Sequence, residues 1–305
     1  ILGSMSSLVW VELEAGAPDH NLREMRRCHG FSGVHCAVVK SNAYGHGIRE
    51  IRGLLNEAGW LAVNSLDEGL ELRGLGETRP VLLLGQVDLC RLSEAREADL
   101  RLAVCNRETL AAASSLPPSP KRLRLHLLLE TGTWRQGVLP ENAPGFAREI
   151  LNTPGVELEG IGTHFANIED TLEHAYARMQ LETFERVCAG LAAEGINPPI
   201  RHTACTAAAI LFRETHFSML RTGIGTYGLW PSRETRLSAE TAGIPIPGLR
   251  PVMTWKTRVV QLKDAPRGSY IGYGCTYRTT RPTVVAVLPV GYADGYRRAV
   301  GNVGW

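Results

Sequence analysis

The chain has 305 residues, enough for roughly two domains of about 150 residues or one larger barrel with an appendage. With 44% hydrophobic and 21% charged residues it is ordinary globular material, which excludes a disordered or fibrous chain. Its 33 basic and 31 acidic side chains nearly cancel, so charge gives no argument for nucleic acid or an anionic membrane as a partner. No apolar run reaches the roughly 18 residues of a transmembrane helix. Ile1 to Met5 read as a stretch outside the fold, ahead of a natural start at Met5. No basic region followed by an apolar core marks a secretory signal. The seven cysteines, Cys28, Cys36, Cys90, Cys105, Cys188, Cys205 and Cys275, are scattered and form no CxxC pair. They read as reduced thiols of a cytoplasmic protein, with no metal site.

In chain order, Leu8–Leu13 is strand-like. Val34–Val39 reads as a buried strand, with a helix expected over Gly47–Ala58. Trp60–Val63, Val81–Leu84, Leu100–Cys105, Arg122–Leu129, Val156–Thr163, Ile200–Ala204 and Phe217–Leu220 continue the series. Amphipathic stretches separate them, including a long helix expected over Thr171–Ala193. Continuously apolar strands are buried on both faces, as in parallel sheets covered by helices. About eight strand–helix units favour a (β/α)8 barrel, an α/β fold of the TIM type. An open doubly wound sheet competes, but no GxGxxG follows the first strand. The stretch 231–251, with Pro231, Pro245, Pro247 and Pro251, reads as a linker. Beyond it the period shifts towards two, in Met253–Leu262 and Thr283–Val290, and predicts a mostly-β C-terminal domain. The expected domains are a barrel over 8–235 and a β domain over 245–305, which strand 8–13 can join.

The segment most suggestive of chemistry is AVVKSNAYGHG at 37–47. Lys40 sits where a buried strand enters a loop, the end of a barrel strand that faces an active site. A desolvated amine there can attack a carbonyl. A lone strand-end lysine would ordinarily keep its ammonium in water; the company of Tyr44 and His46 favours a site.

That segment closely resembles the pyridoxal-phosphate lysine motif of the alanine racemase family. TGTWRQG at 131–137, GIGTHFAN at 160–167, HTACTAA at 202–208, LRTGIGTYGLWPS at 220–232, IGYGCTY at 271–277 and PVGYADGYRR at 289–298 resemble further family segments in the family's order. The resemblance implies a (β/α)8 barrel that binds pyridoxal 5'-phosphate, a C-terminal β domain, and a homodimer whose active sites draw on both subunits. It implies a small amino acid as substrate, alanine first, with serine or a broader range as the alternative.

Residue by residue, it implies that Lys40 carries the cofactor and acts as one acid/base. Tyr273, from the partner subunit, is the base on the opposite face. Tyr44, Thr206 and the backbone N–H groups of Gly223 and Ile224 hold the phosphate, and Arg221 faces the pyridine nitrogen. His164 lies against the ring or orients Arg221, and His202 supports Arg221. Arg135 meets the cofactor's phenolic oxygen and the substrate carboxylate. Blander roles compete: Thr206 as a helix N-cap, Arg221 in a surface ion pair, Tyr273 as a packing tyrosine beside Tyr270 and Tyr277. A guanidinium cannot give up its proton, so Arg221 argues against a barrel decarboxylase, for which an acid would serve better. The sequence departs from the family in two places. Leu128 stands where many members carry a lysine that positions the arginine. The chain also stops at Trp305, whereas the family's β domain continues; this gives the expectation of a shortened racemase, weak or inactive, or of a protein that only binds the cofactor.

Overall fold

The computed structural model describes residues 7–302, so the reading of Ile1–Met5 lies outside the described residues. The chain divides after Leu13 and again before Met253. One unit runs from Glu14 to Val252; the other combines 7–13 with 253–302.

The larger unit holds eight parallel strands: β1 (Val34–Val38), β2 (Trp60–Val63), β3 (Val81–Leu83), β4 (Leu100–Val104), β5 (Leu123–Leu128), β6 (Val156–Gly162), β7 (Ile200–His202) and β8 (Met219–Thr222). Their order in the sheet is β7-β6-β5-β4-β3-β2-β1-β8. Each strand therefore lies beside its neighbour in sequence, and β8 returns to β1 with Ala37 opposite Thr222. Between β7 and β8 the backbone N–H of Ser218 donates to the Arg201 carbonyl at 3.2 Å, and that of Arg221 to the Ala204 carbonyl at 2.9 Å. These bonds bring the sheet round into a barrel of TIM type. The apolar runs explain it: Val81, Leu82 and Leu83 are all fully buried, as strands covered on both faces must be.

The helices are shorter than the sequence suggests. The one after β1 spans Ile48–Arg52, and the long one begins at Ala175, because Thr171 and Glu173 form a hydrogen-bonded turn ahead of it. The proline-rich stretch is not a plain linker but contains a helix, Arg233–Thr241. Ser232 caps it by accepting the N–H of Thr235 at 2.9 Å, and Ala239 packs against Ile210 and Leu211. Prolines on both sides hide that helix from a compositional reading.

In the smaller unit Val9–Leu13 pairs antiparallel with Met253–Thr257, Gln261–Ala265 with Thr283–Val287, and Tyr270–Ile271 with Tyr277–Arg278. It is mostly β, as the period-two pattern predicts.

Candidate active site

The C-terminal ends of the barrel strands enclose a cavity of about 410 Å³, within the usual ligand-pocket range of about 300–1,000 Å³. Nine residues singled out from the sequence line it: Lys40, Tyr44, Arg135, His164, His202, Thr206, Arg221, Gly223 and Ile224. They come from the loops after β1, β5, β6, β7 and β8 and from two strand ends, and meet only because the barrel closes.

Lys40 lies two residues past the end of β1, after Val39, and is half-buried. Among the described residues its amine makes no hydrogen bond or ion pair. The next four residues, Ser41 to Tyr44, have φ between 52° and 55°, a full turn of left-handed backbone without a glycine. Such a conformation costs roughly 1–2 kcal/mol per residue, so the surroundings must impose it. They do: the Glu68 carboxylate accepts the N–H of Ser41 at 2.5 Å, and the Asn42 side chain accepts the N–H of Ile48 at 2.8 Å. The turn carries Tyr44 across to the loop after β8, where its ring lies 5.2 Å from that of Tyr227. Burial, with Glu169 nearby, pushes the Tyr44 phenol up, so it is a hydroxyl donor at neutral pH.

On the same side, Thr206 Oγ1 accepts the N–H groups of Gly223 at 3.2 Å and Gly225 at 3.3 Å. The Thr206 hydroxyl hydrogen remains free to donate. Ile224 opens the short 3-10 turn Ile224–Tyr227, whose first N–H groups have no partner within the turn. Thr206 and this turn, in the loops after β7 and β8 where barrels commonly bind phosphate, form a cradle of neutral donors with Tyr44, which reaches it from the turn after β1.

Arg221, expected just after the eighth strand, lies inside it because β8 runs on to Thr222, and it is buried. One terminal nitrogen donates to His202 Nδ1; the other donates to the Thr163 carbonyl at 2.8 Å and the Thr203 carbonyl at 3.3 Å. Burial lowers its pKa to about 10, so it stays a cation at neutral pH. Burial, helped by Arg221, Arg135 and Lys40, pushes His164 down to about 3 and makes it a neutral imidazole facing the pocket.

Arg135 lies on a tight loop organised by Glu130. That carboxylate accepts the N–H of Gly132 at 2.6 Å and of Arg135 at 3.1 Å. Burial alone would raise the carboxyl; the N–H groups of Trp134, Gly132 and Arg135 and the Thr133 hydroxyl outweigh it and hold the group below the ordinary carboxylate range. The Arg135 guanidinium has no acidic partner among the described residues, and Leu128, which lines the same pocket, is apolar.

Residues 14–231 match the family model for the alanine racemase N-terminal domain, and residues 252–305 match that for the alanine racemase C-terminal domain. The chain belongs to the alanine racemase family. It is 38% identical over 299 residues to the alanine racemase of Leptospira interrogans, covering 97% of this chain and 76% of that protein. It is 38% identical over 300 residues to that of Symbiobacterium thermophilum, covering 96% and 76%. Among solved structures, an alanine racemase from Bacillus anthracis with bound L-Ala-P superposes with a TM-score of 0.84 at 33% identity, over 96% of this chain and 75% of that one. A histidine racemase from Leuconostoc mesenteroides superposes at 0.83 with 27% identity, over 97% and 77%. Membership makes this protein an amino-acid racemase.

Tyr273 is not among the residues lining the barrel pocket. It belongs to the smaller unit, in the short turn Tyr273–Cys275, and is 90% exposed. Lining residues such as Cys205 and Glu169 escaped the sequence reading. So did Glu68 and Glu130, which shape the loops without lining the pocket. Glu68 had a signal: Ser65 and Glu68 form a capping box at the start of Leu66–Gly74. The described residues contain no cluster suited to a metal ion, and no helix long and apolar enough to cross a membrane.

Proposed function

We propose that this racemase interconverts L- and D-alanine with pyridoxal 5'-phosphate bound in the barrel mouth. The observation that carries the reading is one juxtaposition. An unpartnered, half-buried lysine amine shares a pocket with a cradle of neutral donors and a buried arginine held by carbonyls and an imidazole. Those groups fit a ligand with an aldehyde, a phosphate and a ring nitrogen. Lys40 would hold the aldehyde carbon, while Tyr44, Thr206, Gly223 and Ile224 would hold the phosphate. Arg221 would meet the ring nitrogen and His164 the ring.

When bound, pyridoxal phosphate draws electrons from the substrate's Cα–H bond and makes that proton removable. The chain must then move the proton. Lys40 Nζ takes or returns it on one face of Cα. Tyr273, supplied by a second copy of the chain, does so on the other. Two groups on opposite faces are needed, since one removes the proton and the other returns it to invert the centre. Arg221 donates and cannot accept a proton, so it would leave the ring nitrogen unprotonated and the electron sink moderate. That tuning suits proton exchange. Arg135 presents a fixed cationic fork for the substrate carboxylate. The working form is a homodimer in the cytoplasm.

The test has two readouts. Protein incubated with pyridoxal phosphate should gain a visible absorption band that Lys40→Ala loses, and chiral chromatography should show alanine racemised. A band retained in Lys40→Ala would remove Lys40 from its role. A second reading, a racemase for serine or a broader set, is supported by the close superposition on a histidine racemase. A substrate panel on the same chiral column separates the two.

A further inference from the structure

Beneath the pocket, four side chains from four strands form one hydrogen-bonded line, buried except for its partly exposed carboxylate end. Arg221 on β8 meets His202 Nδ1 on β7; His202 Nε2 lies 2.8 Å from His126 Nδ1 on β5; His126 Nε2 lies 3.1 Å from Glu159 Oε2 on β6. Both imidazoles are at most 1% exposed.

The chemistry at the two ends dictates every proton between them. A guanidinium only donates, so His202 Nδ1 must accept. A neutral His202 then carries its hydrogen on Nε2 and donates to His126 Nδ1. His126 in turn carries its hydrogen on Nε2 and donates to Glu159. A carboxylate only accepts, so the line closes without a mismatched pair. A tautomer change at either ring would set two donors or two acceptors against each other in a buried site, where an unmade bond is costly.

The backbone is built around this line. β6 carries a bulge: Leu158 stands opposite Leu125 but Gly160 opposite His126, so Glu159 is the extra residue. The bulge lets Glu159 and Gly160 both face the His126 ring, the kind of re-aiming bulges provide. A Cβ on Gly160 would sit 2.4 Å from His126 Nδ1, and one on Gly162 would sit 2.2 Å from His202 Cε1. Both glycines leave room for an imidazole. Arg101, 3.3 Å from Glu159, and Arg124, 3.7 Å away, flank the carboxylate at its far end. Burial would raise Glu159; the His126 hydrogen bond and Arg101 outweigh it and keep it ionised.

We propose that Glu159, acting through His126 and His202, is a positioning residue that fixes the tautomer presented to Arg221 and thereby the orientation of its guanidinium in the pocket. The proposal rests on the reading that Arg221 serves the cofactor's ring nitrogen. Without the carboxylate the two rings lose the acceptor that breaks their symmetry. His202 can then turn an Nδ1–H towards Arg221, donor against donor, and the guanidinium must move off its carbonyl partners.

The experiment compares wild type with Glu159→Gln and Glu159→Leu. Glutamine keeps the shape and can either accept from or donate to His126; leucine can do neither. Long-range proton–nitrogen NMR correlations on the protein without cofactor should show His126 and His202 in wild type as the tautomer protonated on Nε2. In Glu159→Gln a second His202 tautomer should appear. With cofactor, kcat should fall about tenfold with KM for alanine changed less than about twofold, because an orientation and not a substrate contact is lost. A wild-type His202 protonated on Nδ1 overturns the proposal, as does an unchanged tautomer in Glu159→Gln. A tautomer shift with kcat unchanged overturns the positioning role. Should Glu159→Leu fail to fold, the wild-type and Glu159→Gln spectra still decide. Should the protein bind no cofactor at all, the proposed function fails separately, since the histidine spectra are read without it.

Discussion

The carboxylate of Glu68 accepts the backbone N–H of Ser41, the residue next to Lys40, across 27 positions of sequence. Its other oxygen accepts the N–H of Asn64 at 2.8 Å and of Ser65 at 3.3 Å, ahead of its own helix. One side chain therefore ties the helix after β2 to the left-handed turn after β1. Glu68→Ala removes the acceptor for a backbone that is unfavourable by itself. It should lower stability by about 1–3 kcal/mol. It should also weaken cofactor binding, because Lys40 and Tyr44 stand at the two ends of the turn. Chemical denaturation and a cofactor titration read the two effects, and unchanged affinity would show that the turn holds without Glu68.

A Cβ on Gly223 would come 2.4 Å from the Tyr44 hydroxyl. Tyr44 is 40% exposed and can swing away, so Gly223→Ala should fold normally. Its cost should fall on the phosphate cradle, as reduced affinity for pyridoxal phosphate with an unchanged melting temperature. Equal affinity in the variant would remove Tyr44 from the cradle.

Gly162→Ala meets a different neighbour. The ring it would strike belongs to His202, which is buried and bonded at both nitrogens. Nothing there can swing aside, so overpacking should cost about 1–3 kcal/mol of stability. A melting temperature equal to wild type would refute the tight fit around His202.

Much of this site was legible because its residues are local in sequence: Lys40 and Tyr44 lie in one run of 11 residues, and Arg221, Gly223 and Ile224 in another. The barrel was legible because buried parallel strands leave continuous apolar runs such as Val81–Leu83. What stayed hidden depends on partners far apart. Nothing in Ser-Asn-Ala-Tyr announces left-handed backbone, since Ala and Tyr disfavour it and the bonds that impose it come from Glu68 and Ile48. The bulge at Glu159 arises from its register against His126, which no single-strand pattern contains. The helix at Arg233–Thr241 was masked by prolines that lie outside it.

Acid should destabilise the fold before its carboxylates titrate. Burial pushes His35 down to about 3 and His216 to about 4, from an unfolded value near 6.5. Both are neutral in the native state and protonate on unfolding, so between about pH 4 and 6.5 the unfolded chain binds more protons. Stability is therefore fully present above pH 6.5 and falls as pH drops through that window, by up to about 1.4 kcal/mol per pH unit for each histidine. Unfolding free energies at several pH values check this. His216→Asn should remove one histidine's share of the slope, whatever it does to stability at pH 7. A flat profile between pH 5 and 7 would contradict the neutral-histidine assignment.

Tyr273→Phe tests the proposed division of proton transfer between two faces. The phenyl ring keeps the shape of an exposed side chain and removes only the hydroxyl, so the fold should be unaffected. Racemisation joins enantiomers of equal free energy, so kcat/KM must fall by the same factor in both directions. Solvent exchange carries no such constraint. With Lys40 intact, one enantiomer should still exchange its Cα hydrogen for deuterium without inverting, while exchange into the other falls with racemisation. Mass spectrometry combined with chiral chromatography in deuterium oxide reads both. If exchange into both enantiomers falls equally, Tyr273 does not act on one face alone. If neither falls, the second base is another residue.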